Sequence, residues 1–421
     1  MLKPTEKTAA KKAAKKGRPR QTTRPELLPY PDFPLFGHNG TRWAKVIRGK
    51  RHYFGKVADG WQAALEKYER EREDLYAGRT PRVQADGLTV AALANAFLTS
   101  KRHLVDTGEL SPHSFVDYYA TCKLLIEHFG AGRLVIDLAA DDFEKLRRAM
   151  AKTRGPVTLG NEITRVRVAF KYAYDAELIE RPIRFGPTFR KPTKTTLRRE
   201  RQKKGPRMFE AAELRQIIAA APAQLRAMIL LGANAGLGNH DVGLLPLKAI
   251  DIESGWLDFP RPKTAIHRRC WLWPETIAAV RAALAERPTP KDAAAAKLVF
   301  LTRFGVSWTR EPTIDDDGSP KKAADNALAK EFRKLLDKLK LWRPGLGFYA
   351  LRHSFETVAG ESRDQVAVNA VMGHADSSMS AVYRERIVDD RLRAVAEHVR
   401  QWLLTADRGA EPEPAGGWML E

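Results

Sequence analysis

The chain has 421 residues, of which 43% are hydrophobic, and it carries 72 Lys and Arg against 51 Asp and Glu, a formal net charge of +21 at pH 7. This length is enough for two or three folded domains, and the composition excludes a wholly disordered basic chain. So strong a positive charge attracts polyanions, which makes nucleic acid the first partner to test. A ribosome-associated protein and a membrane-surface protein are the alternatives that composition leaves open.

Cysteine content and hydropathy narrow the class further. The two cysteines, Cys122 and Cys270, lie far apart and have no CxxC neighbour, so the sequence predicts neither a disulfide framework nor a zinc site. No apolar run reaches the length of a membrane span, and the amino terminus lacks the apolar core of a secretion signal. We therefore expect a cytoplasmic protein that binds no metal and no membrane.

The amino-terminal segment, residues 1–26, is rich in Lys, Ala and Arg and almost free of apolar side chains. Such a segment cannot offset the entropy of ordering, so we expect a disordered basic arm. Its stretch Lys16-Gly17-Arg18-Pro19-Arg20 is similar to the core of AT-hook peptides, whose arginines enter a narrow minor groove. Arg18 and Arg20 are thus candidate DNA contacts, and a nonspecific phosphate-binding arm is the alternative.

Residues 27–84 are predicted to form a small β unit. Alternating side chains over residues 40–55 indicate two short strands joined at Arg48-Gly49-Lys50, with a helix from Trp61 onward. Arg48 and Lys50 are candidate contacts to DNA phosphates, and a merely solvated polar face is the alternative.

Residues 85–186 place apolar side chains at three- and four-residue steps in four segments, which predicts four helices packed in one bundle. Candidate amino-terminal caps of the third and fourth helices are Asp137, Asp141, Asp142 and Thr158. The fourth helix carries three cations that are candidate DNA contacts: Arg165, Arg167 and Lys171.

A proline-rich and cationic stretch follows at residues 187–207, and its lack of an apolar period predicts an extended linker that lies along DNA phosphates. Residues 208–404 then alternate helices with three short strands, at 249–253, 256–259 and 267–273, which indicates an α+β domain. Its last helix begins near Asp389, and the Gly-, Pro- and Glu-rich residues 405–421 are expected to form a flexible tail.

The stretch from Gly345 to Arg386 carries the chemistry. It contains Arg352 beside His353, then Gly373-His374, then Tyr383 nine residues after His374. A tyrosine phenol can attack a phosphodiester, while arginine and histidine neutralise the charge that develops on the phosphorane. The resulting phosphotyrosine conserves the bond energy for religation, so neither a metal nor a nucleotide cofactor is needed.

These motifs resemble the tyrosine recombinase (phage integrase) family. The family pattern is H-x-L-R-H-[ST]-F-A-T, then L-G-H, then a tyrosine nine residues later; residues 349–357 read YALRHSFET here, and residues 372–374 read MGH. The resemblance implies a mostly α protein with small β-sheets, in which a helical core-binding (SAM-like) domain precedes an α+β integrase-type catalytic domain. It implies Tyr383 as nucleophile, Arg352 and His374 as ligands of the scissile phosphate, and Lys263, in a Lys-Thr turn, as general acid for the leaving 5′ oxygen.

Two positions depart from the family. Gly238 stands where the family pattern T-G-L-R-x-x-E-L has its first catalytic arginine, and Tyr349 stands where the first box has histidine. A phenol can donate a hydrogen bond to phosphate but carries no positive charge at neutral pH. Losing one positively charged donor typically slows catalysis on the order of 10²-fold to 10³-fold. Candidates to replace the arginine are His240, Arg268, Arg269 and Arg310, and the sequence does not choose among them.

Three further residues have two interpretations each. Asp241 occupies the place of a family acid that supports the active site, with an ordinary helix carboxylate as the alternative. His353 is either catalytic or a buried, hydrogen-bonded core histidine. The last helix either docks on a neighbouring protomer, as the family often does, or packs on its own domain.

The resemblance predicts a site-specific recombinase that cleaves and rejoins double-stranded DNA through a 3′-phosphotyrosine, as a homo-tetramer on paired sites, in the cytoplasm at the nucleoid. A type IB topoisomerase would use the same nucleophile, but the modular amino-terminal part favours recombination. A catalytically weakened or inactive integrase-like DNA-binding protein is the second alternative, because of Gly238 and Tyr349. The target sequence and the direction of recombination are not encoded in these features.

Overall fold

A computed structural model describes residues 28–78, 87–375 and 378–405. The predicted basic arm with Arg18 and Arg20 lies outside the described residues, as does nearly all of the predicted tail. The chain divides into two compact units, one within residues 1–88 together with 134–137, the other within residues 89–133 and 138–421.

The first unit contains an antiparallel sheet of order β1-β2-β3 followed by one helix. Its elements are β1 (Phe36–His38), β2 (Arg42–Ile47), β3 (Lys50–Lys56) and α1 (Gln62–Tyr76). The β2–β3 hairpin turns at Arg48 and Gly49, both with positive φ, the conformation that a two-residue hairpin of this twist requires. Trp43, Phe54 and Tyr68 are buried in its core. The two predicted strands and the helix are present, and β1 is an additional strand.

The second unit begins with four helices, as the apolar periodicity predicts: α2 (Val90–Asp106), α3 (Pro112–Phe129), α4 (Ala140–Ala151) and α5 (Pro156–Asp175). The bundle interior is aromatic, with Phe97, Phe115, Phe143 and Phe170 all fully buried. Burying such side chains contributes about 1.5–3 kcal/mol each to folding, so these four positions account for much of the driving force for packing the helices together.

The predicted caps of α4 and α5 are wrong. Ala139 precedes α4, and the carboxylate of Asp142, three residues on, accepts the backbone N–H of Ala139 at 2.9 Å. The helix α5 begins at Pro156, two residues before the predicted cap Thr158, because proline has the φ of a first helical turn and needs no partner for an N–H.

The predicted extended linker contains a helix, α6 (Lys194–Lys203). Its start is fixed by Thr193, whose side chain accepts the backbone N–H of Thr196 at 3.2 Å. No proline lies between Pro192 and Pro206, and the helix between them consists mostly of good helix formers with none buried. Local propensity and a cap thus form a helix where the missing apolar period predicts none.

The carboxyl-terminal part combines helices with short antiparallel strands. Its elements are α7 (Ala211–Ala220), α8 (Ala223–Ala235), α9 (Asn239–Gly243), β4 (Ile250–Asp251), β5 (Trp256–Asp258), β6 (Arg269–Trp271), α10 (Pro274–Ala285), α11 (Ala293–Ala296), β7 (Thr309–Arg310), β8 (Thr313–Ile314), β9 (Pro320–Lys322), β10 (Asp325–Asn326), α12 (Ala327–Lys338), α13 (Ala350–Gly360), α14 (Gln365–Met372), α15 (Met379–Val382) and α16 (Asp389–Leu404).

The three predicted strands form a sheet of order β4-β5-β6, and two small ribbons, β7 with β10 and β8 with β9, were not predicted. The helix α8 is the most buried element and packs against α10 and α13. The side chain of Asn234 on α8 accepts the backbone N–H of Trp273 at 2.8 Å and donates to the carbonyl of Trp271 at 3.0 Å, which joins α8 to the end of the sheet.

The last helix, α16, packs on its own domain. Leu392, Val395 and Leu403 are buried there, and the indole Nε1 of Trp273 donates to the carbonyl of Ala396 at 2.8 Å. The guanidinium of Arg400 binds the carboxylate of Glu275 on α10 at 2.6 Å. Of the two interpretations of this helix, the structure shows packing within the same chain.

Together these elements confirm the predicted fold class, mostly α with small sheets. None of the helices within the described ranges is long and apolar enough to cross a membrane.

Candidate active site

Arg352 is the centre of the site. It lies on α13, is only 3% exposed, and donates to the carbonyls of Gly236 and Met372, each at 2.7 Å. Both carbonyls stand at the end of a helix that stops in a left-handed glycine, Gly236 after α8 and Gly373 after α14. Two glycine caps therefore aim backbone carbonyls at one guanidinium.

His374 follows the second of these glycines and contacts the same guanidinium. The distance from Nη2 of Arg352 to Nε2 of His374 is 2.8 Å. A guanidinium can only donate, so Nε2 of His374 accepts and carries no proton in this arrangement. Partial burial and the positive charge of Arg352 lower the pKa of His374, which favours the neutral imidazole.

Glu356 faces the other side of the imidazole. Its Oε2 is buried, has no hydrogen-bond partner among the described residues, and lies 3.7 Å from Nδ1 of His374. The negative charge of Glu356 opposes the fall in the pKa of His374. The family box has alanine at the position of Glu356, and this difference is the signal in the sequence that points to the residue.

Arg268 and Asp241 form a buried ion pair near Gly238. Nη1 of Arg268 donates to Oδ2 of Asp241 at 3.2 Å, and the backbone N–H of Gly238 donates to the same oxygen at 3.0 Å. The Arg268 side chain is 0% exposed, its Nε donates to the carbonyl of Phe259 at 3.0 Å, and its Nη2 has no partner among the described residues. Asp241 is thus a bridging acid, not an ordinary helix carboxylate.

Tyr349 covers Gly238. A Cβ added at Gly238 would lie 3.2 Å from Cδ2 and from Cε2 of the Tyr349 ring, which is closer than most real contacts of that kind. Tyr349 itself is 47% exposed and its ring meets His353 edge to face at 5.6 Å between centroids. The two departures from the family pattern therefore occupy one place in the structure.

His353 is exposed, so its interpretation as a buried core histidine is wrong. Desolvation and the nearby charges of Arg207, Arg352 and Arg201 lower its pKa. Arg201 is on α6 and Arg207 follows it, so the segment predicted as a linker brings positive charge to this edge of the site.

Lys263 lies exposed in the turn after β5. Two residues earlier, Arg261 donates to the carbonyl of Gly373 at 3.4 Å, and this contact joins the turn to the Gly373-His374 segment. Within the described structure no hydrogen bond or ion pair connects Lys263 to Arg352 or His374.

Tyr383 follows α15 and is 78% exposed. A cavity of about 560 Å³ is lined by His374 and by Ala381 and Arg384, which stand on either side of Tyr383. The tyrosine segment thus borders the same cavity as His374, although no hydrogen bond between described residues joins Tyr383 to Arg352 or His374.

The other candidate DNA contacts differ in their surroundings. Arg48 and Lys50 are exposed at the β2–β3 turn, and Lys171 is exposed but paired with Asp175 at 2.7 Å. Arg165 pairs with Asp117 and with Glu162, and Arg167 donates to the carbonyl of Phe189 at 3.1 Å. These internal contacts use only part of each guanidinium, and DNA contact by Arg165, Arg167 and Lys171 stays a prediction. The described residues include no cluster of His, Cys, Asp or Glu that could hold a metal ion.

The fold, mostly helical with small sheets, is the one that the motifs predict. Residues 206–388 match the family model described as the phage integrase family, which confirms the family resemblance for this part of the chain. No curated protein matches the chain.

Among solved structures, the chain is similar in fold to several recombinases. The Tn1549 transposon integrase in complex with a circular intermediate DNA is 16% identical, with a TM-score of 0.52, covering 74% of this chain and 100% of that one. A lambda integrase tetramer bound to a Holliday junction is 13% identical, with a TM-score of 0.51, covering 87% and 98%. The XerH site-specific recombinase bound to difH is 15% identical, with a TM-score of 0.50, covering 72% and 95%.

Proposed function

We propose that this protein is a site-specific DNA recombinase that cleaves and rejoins double-stranded DNA through a 3′-phosphotyrosine intermediate. The observation that carries the proposal is the contact between Arg352 and His374, two groups from separate motifs that converge at 2.8 Å. The family match over residues 206–388 supports it.

The charge of the site favours an anionic ligand. Arg352, Arg268 and Arg261 bring three guanidinium groups to the site. Asp241 and Glu356 bring two carboxylates. The balance leaves one excess positive charge, and an uncompensated buried charge costs several kcal/mol. A phosphate of DNA would compensate it, and the planar guanidinium of Arg352 suits two nonbridging oxygens.

In the proposed reaction the phenolic oxygen of Tyr383 forms a bond to phosphorus while the bond from phosphorus to the 5′ oxygen breaks. The tyrosine proton is lost to solvent or to a nearby base, and Lys263 gives a proton to the leaving 5′ oxygen. Arg352 and His374 donate hydrogen bonds to the phosphorane, with Tyr349 as a further neutral donor. A 5′ hydroxyl from the partner strand then reverses these steps and releases the tyrosine.

The solved relatives suggest the partners. The lambda integrase structure is a tetramer on a Holliday junction, and we propose that this chain likewise acts as a homo-tetramer on paired DNA sites. Arg48 and Lys50, together with Arg18 and Arg20 of the amino-terminal segment, are proposed to bind the DNA backbone. Such a protein would act on DNA of the cytoplasmic nucleoid.

A catalytically silent DNA-binding protein is the second candidate, favoured by Gly238 and Tyr349. The two candidates differ in one assay, incubation with a nicked substrate that traps the covalent intermediate. The recombinase should give an adduct that is lost in Tyr383→Phe and retained in Tyr174→Phe, a control at another exposed tyrosine. Tight binding with no adduct would identify the silent binder instead.

A further inference from the structure

We propose that Arg268 supplies the positive charge that Gly238 leaves missing, as a positioning residue for the scissile phosphate. This inference rests on the proposed recombinase function. It chooses Arg268 among the four candidates that the sequence leaves open. The positive charge then comes from the residue before β6, and not from the residue before α9.

Arg268 lies close to the position of the missing arginine. The same oxygen of Asp241 accepts from the backbone N–H of Gly238 and from the guanidinium of Arg268, at 3.0 Å and 3.2 Å. One carboxylate oxygen therefore separates the Arg268 guanidinium from the backbone position at which the family pattern attaches its first arginine. The charge is present in this part of the site, but it comes from Arg268, which lies 27 positions after Asp241 in the chain.

Arg268 also has a hydrogen-bond donor that is not used. Nη2 of Arg268 is buried and has no hydrogen-bond partner within the described residues, while Nη1 and Nε are both paired. An unsatisfied buried donor costs about 1–3 kcal/mol, more when the group is charged. A folded protein that carries such a cost usually does so for a functional reason, and the reason inferred here is the positive charge itself.

The other three candidates are exposed or paired with acids elsewhere. Arg269 forms ion pairs with Asp389, at 2.8 Å, and with Asp258. His240 is 45% exposed and lies 3.6 Å from Glu311, and Arg310 is exposed on β7 opposite Asp325. In contrast, Arg268 is wholly buried. Burial and the charge of Arg261 are the larger causes that lower the pKa of Arg352, and the charge of Arg268 lowers it further.

The position of Tyr349 agrees with a charge supplied by Arg268. Its ring lies over Gly238, where the side chain of an arginine would have to pass. Arg268, which precedes β6, leaves that space open to the ring. The glycine, the tyrosine and Arg268 are thus one coupled arrangement, and restoring an arginine at 238 requires a smaller or displaced residue at 349.

Because its side chain is 0% exposed, Arg268 is inferred to act through its field and through Asp241, without touching the phosphate. Charges in such a poorly hydrated site interact far more strongly than in water. The expected result of neutralising Arg268 is therefore a loss that depends on the charge of the scissile phosphate.

The test compares two nicked substrates, one with a normal scissile phosphate and one with an uncharged methylphosphonate at that position. Arg268→Met should slow Tyr383-dependent adduct formation on the order of 10²-fold on the phosphodiester. It should cause much less loss on the methylphosphonate, and Arg268→Lys should recover part of the rate. Arg310→Met, at an exposed arginine, serves as the matched control and should change neither rate.

An equal loss on both substrates would show a merely structural role and would overturn the inference, as would no loss on either. Should Arg268→Met fold poorly, the triple variant Gly238→Arg, Tyr349→His, Arg268→Met moves the charge back to α9. The inference expects this variant to form more adduct than Arg268→Met, and a failure to do so counts against it.

A wild-type protein that forms no adduct would contradict the proposed function and not this inference. The same comparison then uses binding, as the ratio of affinities for phosphodiester and methylphosphonate DNA. Arg268→Met should move that ratio toward one, and an unchanged ratio overturns the inference.

Discussion

Arg352 donates a hydrogen bond to Nε2 of His374 at 2.8 Å, so the two groups proposed to hold a phosphate hold each other in the free protein. Two more of the five N–H groups of Arg352 donate to the carbonyls of Gly236 and Met372, so two are left for phosphate oxygens. For His374 to donate to the phosphate as proposed, its Nε2 must exchange the contact with Arg352 for a proton. Under the proposed function, cleavage is therefore linked to the protonation of this histidine.

Replacing Arg352 by Met should abolish adduct formation and also lower the free energy of unfolding. The variant leaves two buried carbonyls without a donor, which costs about 1–3 kcal/mol each. Denaturant unfolding measures this loss. Arg281→Met, at an exposed pair with Glu253, is the control and should change stability by less than about 1 kcal/mol. A fully stable Arg352→Met would contradict the buried hydrogen-bond network.

Replacing Glu356 by Gln should lower the pKa of His374 further. Burial, Arg352 and Arg261 lower that pKa in the native protein, and Glu356 alone among the facing groups raises it. If protonated His374 serves cleavage, the rate should decrease as pH rises and His374 loses its proton. This decrease should begin at a lower pH in Glu356→Gln than in the wild type. NMR titration of the His374 ring checks the pKa directly, and the pH profile of adduct formation checks its consequence. Coincident titration curves would remove Glu356 from this role.

Replacing Gly236 by Ala should destabilise the protein by more than strain alone. Gly236 has a φ of 60°, and a Cβ there would lie 2.4 Å from Sδ of Met372. Gly318 has a φ of 78° but open space around it, so Gly318→Ala isolates the cost of the left-handed backbone, about 1–2 kcal/mol. Thermal unfolding of the two variants separates clash from strain, and equal losses would mean that Met372 yields without cost.

Replacing Glu275 by Gln should weaken the attachment of α16 in a pH-dependent way. The hydrogen bond from Arg400 lowers the pKa of Glu275, so its contribution is complete above the unfolded carboxyl pKa and is lost as pH falls through the folded value. Because the pair is partly exposed, we expect a loss of about 0.5–1 kcal/mol at pH 7.

The control for this pair is Glu253→Gln, at a side chain that is 89% exposed and should contribute almost nothing. Unfolding by urea at pH 7 and at a pH below the folded pKa of Glu275 distinguishes them. A difference between wild type and Glu275→Gln that persists in acid would contradict the ion-pair interpretation.

The elements that the sequence predicts well are those whose information is local. Apolar periodicity predicts the four helices that bury Phe97, Phe143 and Phe170, and motif spacing predicts that Arg352 and His374 act together. Periodicity failed at α6, because a threonine cap and good helix formers make a helix without any apolar face.

What the sequence could not predict depends on contacts between distant elements. The pairing of Arg268 with Asp241 joins a strand to a short helix, and no local pattern distinguishes Arg268 from Arg269 beside it. Only the folded structure shows that Arg268 points inward to Asp241 and that Arg269 points outward to Asp389. Likewise, the packing of Tyr349 on Gly238 becomes visible only when α9 and α13 meet.

The helix α16 has a consequence for assembly. Its apolar face is already occupied within the same chain, and Arg400, Arg391 and Arg269 each fasten it or its first turn to neighbouring elements. If the subunits of the proposed tetramer exchange this helix, it must first detach from its own domain, and each of these contacts adds to the free-energy cost of that step.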